Sequence, residues 1–132
     1  MKGLTSNVTK GLQLGTVLTC TDNSGAKELY IISSRGFKGT RKRPPSMGVG
    51  NIVIASVRKG KPDMVKKVVK ALIVRQKKEY RRANGVRLSF EDNAAVLVTD
   101  DNLPVGTEIK GVVAREIVER FPKVSAIAAG II

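Results

Sequence analysis

The chain has no histidine and no tryptophan, and it has one cysteine among its 132 residues. Histidine is the side chain whose ordinary pKa suits proton transfer near neutral pH, so its absence excludes Ser-His-Asp and Cys-His catalytic sites. Zinc sites need clusters of Cys and His ligands, and a single cysteine cannot form an internal disulfide. Cys20 lies in the run TVLTCT, which is typical of a small buried strand residue, and we expect a structural thiol rather than a reactive one.

Long apolar runs are also missing. The longest nearly apolar stretch is the terminal AIAAGII, far short of the roughly 20 residues that a membrane-spanning helix needs. Residues 1–12 do not contain the hydrophobic segment of a signal peptide. With 42% apolar residues the chain can build a core, and its length suits one domain over residues 1–132. We expect a soluble, cytoplasmic protein with no membrane partner.

Charge is plentiful and unevenly placed. The formal net charge is +13, and residues 27–87 hold 18 basic and three acidic residues, whereas residues 88–132 carry a net charge of −3. Cations crowded in this way repel one another once the chain is compact, and a polyanion would relieve that repulsion. Nucleic acid is favoured over an anionic membrane because the basic stretch shows neither a basic amphipathic helix nor a lipidation signal.

Short β-branched runs separated by Gly, Pro, Asn and Asp predict a mostly β fold. Strands are expected at residues 16–21, 28–33, 51–58, 68–75, 86–90 and 94–98. The turn-forming sequence DNSGA predicts a hairpin between the first two strands. Asn84-Gly85 predicts another hairpin with a type I′ turn, which needs positive φ at both central positions. The runs IVIASV and ALIV are apolar on both faces, which favours a small closed barrel of five or six strands.

The periodicity changes near the C-terminal end. Val113, Ile117 and Phe121 recur at i, i+4 and i+8 and Pro122 follows, so a short amphipathic helix is expected from about residue 112. A further turn or two of helix is expected at residues 125–129. The single domain would thus consist of a β-barrel with basic loops over residues 1–104 and a short-helix region over residues 105–132.

Three basic clusters are candidate contacts with RNA. They lie in the loop beside Pro44-Pro45, in the segment between the strands at 51–58 and 68–75, and around the Asn84-Gly85 turn, where Arg81 and Arg82 are expected to be exposed. A stiff loop loses less entropy when its cations bind phosphates. The alternative for each cluster is a solvated basic surface. The predicted RNA-binding residues are Lys38, Arg41, Lys42, Arg43, Arg58, Lys59, Lys61, Lys66, Lys67, Arg75, Lys77, Lys78, Arg81, Arg82 and Arg87.

Two other functions stay open from the residues alone. A free-standing single-strand binder stacks bases on exposed rings, and five aromatic residues leave few to spare from a core, so folded RNA is the better match. The pairs Glu91-Asp92 and Asp100-Asp101 could hold magnesium in a nuclease. Both pairs adjoin turns, where acidic residues are common for backbone reasons. We therefore expect an RNA-binding protein with no cofactor, no metal site and no enzymatic activity.

Three motifs in this order resemble the universal large-subunit ribosomal protein fourteen family. They are CTDNSGAK at 20–27, ALIVRQKKEYRRANGVRLSFEDNAAVLV at 71–98, and GTEIKGVVARE at 106–116. The resemblance covers nearly the whole chain, and the residues before Gly11, the insertion at 41–45, Gln76 and Tyr80 look more like archaeal and eukaryotic members. This chain has Val112 where members commonly have Pro, and Asn84 where they often have Asp.

The resemblance implies a small five-stranded barrel with a projecting β-ribbon and one or two short C-terminal helices. It implies a structural constituent of the large ribosomal subunit that binds large-subunit ribosomal RNA and contributes to a bridge with small-subunit RNA. It further implies, as neighbours, ribosomal protein three and eukaryotic-type ribosomal protein twenty-four, and docking of anti-association initiation factor six at the C-terminal region. Unless that region simply packs on the barrel, the candidate partner contacts are Arg115, Val124, Ile127, Ile131 and Ile132.

Overall fold

A computed structural model describes residues 8–36, 38–39 and 41–132. These residues form a mostly β structure with two short helices near the C-terminal end. The strands are β1 (Leu12–Gln13), β2 (Val17–Cys20), β3 (Ala26–Ser34), β4 (Ser46–Met47), β5 (Ile52–Gly60), β6 (Val68–Arg75), β7 (Tyr80–Arg81), β8 (Arg87–Leu88), β9 (Ala94–Val98), β10 (Ile109–Val113) and β11 (Ala128–Ile131), and the helices are α1 (Arg115–Arg120) and α2 (Pro122–Ala126).

Strands β2, β3, β5, β6 and β9 form a closed barrel, which confirms the predicted fold class. Neighbouring strands pair antiparallel except at the closing seam, where β2 and β9 pair in parallel through Thr19–Ala94 and Cys20–Ala95. The strands predicted at 68–75 and 94–98 have the observed bounds, and the first three predicted strands differ only at their ends. The turn before β3 forms the predicted hairpin with β2.

The CTDNSGAK motif closes this seam. The Asp22 carboxylate is buried and accepts hydrogen bonds from the Leu97 amide (3.0 Å), the Ser24 hydroxyl (2.6 Å) and amide (3.3 Å), and the Cys20 thiol (3.0 Å). One side chain thus links β2, the hairpin turn and β9 where the seam has only two paired positions. Burial and the neighbouring Asp22 raise the pKa of Cys20 to about 12, as suits the structural thiol expected from the sequence.

Side-chain alternation divides the core into two layers. On β6, Ala71 and Ile73 belong to the cluster that fills the barrel, while Leu72 and Val74 belong to a second cluster outside it. Ile109, Val113, Ile117 and Val124 from the C-terminal region pack in that second cluster. The apolar character of both faces of ALIV therefore has a physical reason: each face of β6 is covered, one by the barrel and one by the C-terminal region.

The C-terminal region differs from the expectation in its boundaries. Residues 109–113 form β10, which pairs in parallel with β11, so α1 begins at Arg115 rather than near 112. The second helix is Pro122–Ala126, so it begins and ends three residues before the stretch expected to be helical at 125–129, and β11 begins at Ala128 within that stretch. The strand that pairs with β10 lies about 20 residues later in the chain, and the periodicity of neighbouring residues cannot predict a pairing over that distance. None of the helices among the described residues is long and apolar enough to span a membrane.

Strands β7 and β8 form the expected ribbon, but its turn is not type I′. Of the two central residues only Gly85 has positive φ, at 89°. The Gly85 amide donates to the Arg82 carbonyl and the Arg82 amide donates to the Val86 carbonyl, both at 2.9 Å. This is the pattern of a three-residue loop with a glycine in the left-handed position. The Asn84 side chain accepts a bond from the Val86 amide (3.1 Å), which stabilises this turn instead.

Candidate RNA-binding surface

The first basic cluster lines an open cleft of about 740 Å³. Lys38, Arg41 and Arg43 come from the loop between β3 and β4, and Lys10 and Arg35 complete the cationic lining. None of these five residues forms an ion pair with a carboxylate in the part of the chain that the structure describes. Serine and asparagine side chains and two glycines also line the cleft, so it presents donors and positive charge that suit phosphate oxygens.

Lys10 and Arg35 are absent from the predicted RNA-binding residues: Lys10 is isolated in the sequence, and Arg35 lies directly after β3, three residues before Lys38. The fold brings them to the cleft through specific anchors. Buried Gln76 donates from Nε2 to the Thr9 carbonyl (2.8 Å) and accepts from the Val49 amide at Oε1 (2.9 Å), which holds the segment of Lys10 against the barrel. The Arg35 amide donates to the Ile52 carbonyl (3.0 Å), and Arg35 Nη1 donates to Asn102 Oδ1 (2.9 Å). Gln76, a residue noted only for its archaeal character, is therefore a packing anchor for the site.

The backbone of the cleft loop is strained at two cations. Arg41 and Lys42 have positive φ, at 61° and 56°, although both carry a side chain. Such residues cost about 1–3 kcal/mol each and cluster in loops that clamp ligands. Both side chains are exposed, as is Arg43.

The second basic cluster lies on the connection between β5 and β6. Its turn is fixed to the barrel by reciprocal bonds: the Lys66 amide donates to the Val57 carbonyl (2.8 Å), and the Val57 amide donates to the Lys67 carbonyl (2.9 Å). Its cations are exposed, and the Lys59–Glu28 contact at 3.5 Å is a surface pair worth little in water. The exposed members are Arg58, Lys59, Lys61, Lys66 and Lys67.

The third cluster is divided by the structure into exposed and internal members. Lys77, Lys78, Arg81 and Arg87 are exposed, and Arg87 forms a surface pair with Glu79 at 3.6 Å. Arg75 and Arg82 are turned toward the protein instead. The expectation that Arg82 is exposed is wrong, because its side chain is only 13% accessible and is paired within the chain.

Arg75 joins β6 to the C-terminal region. Its Nε lies 3.0 Å from Asp92 Oδ1, Nη2 donates to Asp92 Oδ2 (3.1 Å), and Nη1 donates to the carbonyls of Lys110 (3.4 Å) and Val112 (3.2 Å). The residue is 8% exposed. Gly111 makes this contact possible, because a Cβ there would clash with Arg75 Nη1. Arg75 therefore has a structural contact set, and we leave it out of the proposed RNA-binding surface.

Arg82 belongs to a buried network with Tyr80 and Glu116. Arg82 Nε donates to Glu116 Oε1 (2.8 Å), Nη2 donates to Oε2 (3.2 Å), and Tyr80 Oη donates to Oε2 (2.9 Å). Burial alone would raise the pKa of Glu116, but the bonds from Arg82 and Tyr80 outweigh it and lower that pKa. The bond to Glu116 raises the pKa of Arg82, and burial next to Glu116 raises the pKa of Tyr80. The bonds of this network join the ribbon to α1.

One member of each acidic pair considered for a nuclease has a cationic partner in the chain. Asp92 pairs with Arg75, and Asp100 pairs with Lys70 Nζ, which lowers the pKa of Asp100. Each of these two carboxylates thus neutralises a cation of the basic half of the chain.

The candidate partner contacts in the C-terminal region also divide. Val124 is fully buried in the second core cluster, so it holds this region on the barrel and has no surface to offer a partner in this structure. Ile127 packs partly against the same cluster. Arg115 is exposed, and Ile131 and Ile132 are exposed apolar residues. The region therefore both packs on the barrel and presents a surface.

Comparison with known proteins identifies the family. The model of ribosomal protein L14p/L23e matches residues 11–132. The chain is similar to the protein named large ribosomal subunit protein uL14 from Methanocorpusculum labreanum (52% identity over 132 residues, 100% of both chains) and to that from Methanoregula boonei (52%, with the same coverage). The uL14 protein from Methanococcus maripaludis is 55% identical over 128 residues, 97% of each chain. These relatives are archaeal, in agreement with the archaeal and eukaryotic character predicted from the residues before Gly11. The chain belongs to the ribosomal protein L14p/L23e family, whose members are structural, non-enzymatic constituents of the large ribosomal subunit.

Proposed function

We propose that this chain binds large-subunit ribosomal RNA through the cleft and the exposed cations of the neighbouring loops. The observation that carries the proposal is the convergence of Lys10, Arg35, Lys38, Arg41 and Arg43 on one cleft without a carboxylate partner in the described residues. Positive charge without internal partners is free to neutralise phosphates, whereas Arg75 and Arg82 already have carboxylates.

The remaining members of the proposed surface are Lys42 of the cleft loop and the exposed cations of the other two clusters. The connection between β5 and β6 is bonded to the barrel at Val57, and the ribbon is bonded to α1 through Glu116, so these backbones lose little freedom on binding. A rigid set of phosphate contacts recognises the shape of a folded RNA rather than its sequence. With the cleft residues, this surface consists of Lys42, Arg58, Lys59, Lys61, Lys66, Lys67, Lys77, Lys78, Arg81 and Arg87.

We further propose that the chain works within cytoplasmic ribosomes, where it contributes to a bridge with small-subunit RNA and lies beside ribosomal protein three and eukaryotic-type ribosomal protein twenty-four. The exposed C-terminal surface with Arg115, Ile131 and Ile132 is the proposed docking area for anti-association initiation factor six. The charge distribution supports separate surfaces for RNA and for protein partners, since residues 88–132 carry a net charge of −3 and most of the cations lie in the middle of the chain.

Sedimentation of ribosomes tests the proposal. The protein should co-migrate with large subunits on sucrose gradients in low salt and be released only in high salt, since phosphate contacts weaken with ionic strength. The cleft variant replaces Lys38, Arg41 and Arg43 by Gln and should be depleted from large subunits. The control variant replaces Lys110, Arg120 and Lys123 by Gln, three exposed cations outside the basic region, and should co-migrate normally.

A second binding measurement separates the proposal from a free-standing single-strand binder. Folded large-subunit RNA should bind the protein more tightly than an unstructured homopolymer of the same length. Equal affinity for the two RNAs, together with absence from the gradient fractions of large subunits, would contradict the ribosomal role and favour single-strand binding.

A further inference from the structure

The ribbon has too few contacts of its own to hold a fixed direction. Only two residue pairs, Tyr80–Leu88 and Arg81–Arg87, join β7 to β8, and a two-stranded ribbon alone has marginal stability in water. Its turn residues from Ala83 to Val86 are exposed. The positions of its exposed cations Arg81 and Arg87 therefore depend on contacts of the ribbon with the rest of the chain. These are the packing of Tyr80 and Leu88 in the second core cluster and the bonds of Tyr80 and Arg82 to Glu116.

One carboxylate of α1 holds the β7 side of the ribbon. Glu116, whose side chain is 8% accessible, accepts two bonds from Arg82 and one from Tyr80, so both ribbon residues that flank Arg81 bind the same acid. Arg82 Nη2 also donates to the main-chain oxygen of Ile132 (2.7 Å), which accepts from the Arg115 amide as well (2.8 Å). The clamp thus joins the ribbon, the start of α1 and the end of the described chain.

We infer that Glu116 is a positioning residue for RNA binding, which acts by holding the Tyr80–Arg82 side of the ribbon so that Arg81 and Arg87 meet phosphates. This inference rests on the proposed RNA-binding function. It has an unusual electrostatic signature, because removing an acid from an RNA-binding protein ordinarily strengthens binding by lessening repulsion of the phosphates. A positioning role predicts the opposite sign.

The test compares Glu116→Gln with Glu119→Gln, an exposed acid of the same helix whose replacement changes the net charge equally. Affinity for folded large-subunit RNA is measured as a function of salt, with the folded fraction of each variant checked by circular dichroism. Glu116→Gln should weaken binding about tenfold and make the salt dependence shallower by about one to two phosphate contacts. Glu119→Gln should leave binding unchanged or slightly stronger.

A double-mutant cycle separates positioning from general stability. Arg81→Gln should weaken binding clearly in the natural chain and much less in the Glu116→Gln background, because a ribbon released from its clamp no longer presents Arg81. Effects that multiply independently would overturn the inference, as would Glu116→Gln binding as tightly as Glu119→Gln.

A second variant tests the inference if Glu116→Gln does not fold. Tyr80→Phe removes one bond to Glu116 without a change in charge and should weaken RNA binding about two- to threefold with a shallower salt dependence. Unchanged binding by a folded Tyr80→Phe variant would contradict the clamp if Glu116→Gln does not fold. Failure of the natural chain to bind folded large-subunit RNA would instead reject the proposed function itself.

Discussion

Replacing Asp22 by alanine removes the carboxylate at the barrel seam and leaves its donors without a partner. The Leu97 amide lies inside the barrel wall and has Asp22 Oδ2 as its acceptor at 3.0 Å, and Ser24 has Asp22 Oδ1. A buried donor left without a bond costs about 1–3 kcal/mol, and the half-buried Ser24 adds about 1 kcal/mol. The free energy of unfolding should therefore fall by about 2–4 kcal/mol.

Urea denaturation followed by circular dichroism measures this change, with Asp101→Ala as the control. Asp101 is exposed, and its removal should change the free energy of unfolding by less than about 0.5 kcal/mol. For Asp22→Ala the midpoint should fall without a change in slope, and Tm should fall by about 6–16 °C for a chain of this size. A variant of Asp22 as stable as the Asp101 variant would refute the assignment of seam closure to this carboxylate.

Three further predictions concern the internal contacts. Gly111→Ala should lower the free energy of unfolding by about 1–3 kcal/mol more than Gly85→Ala. Both glycines have positive φ, but of the two only Gly111 has a neighbour, Arg75, that an added Cβ would meet. Equal losses of stability in urea denaturation would argue against that contact. Because the folded-state pKa of Glu116 is lowered, its contribution is present above the unfolded pKa of about 4.3 and is lost as pH falls through the folded value. Glu116→Gln should therefore lose less stability than the natural chain below about pH 5, and parallel pH profiles would contradict the ion pair. Cys20, buried and with its pKa raised to about 12, should react with a thiol reagent only as fast as the chain unfolds, and rapid labelling of the native protein would show that the thiol is accessible.

The barrel could be predicted because its determinants are local. Alternation of apolar residues, the turn sequence DNSGA and strands apolar on both faces together indicate a closed sheet, and the structure confirms it. The C-terminal region was predicted less well. The periodicity at Val113 and Ile117 indicates a buried face, but it does not distinguish the end of a strand from the first turn of a helix.

The candidate RNA-binding surface could also be predicted only as far as local sequence patterns determine it. Local runs of Lys and Arg identified the three clusters, and most members are exposed as expected. Arg75 and Arg82 could not be separated from their neighbours, because their carboxylate partners Asp92 and Glu116 lie 17 and 34 residues away. The contribution of Lys10 to the surface could not be predicted for a similar reason, because its place at the cleft depends on tertiary contacts.

The salt dependence of RNA binding tests the central claim most directly, since it counts the phosphates that the cations engage. For folded large-subunit RNA, the slope of log affinity against log salt concentration should become shallower by about two to three in the cleft variant, close to one for each cation removed, and by less than about one in the control variant. Equal slopes for the natural chain, the cleft variant and the control variant would contradict an RNA-binding role for the cleft.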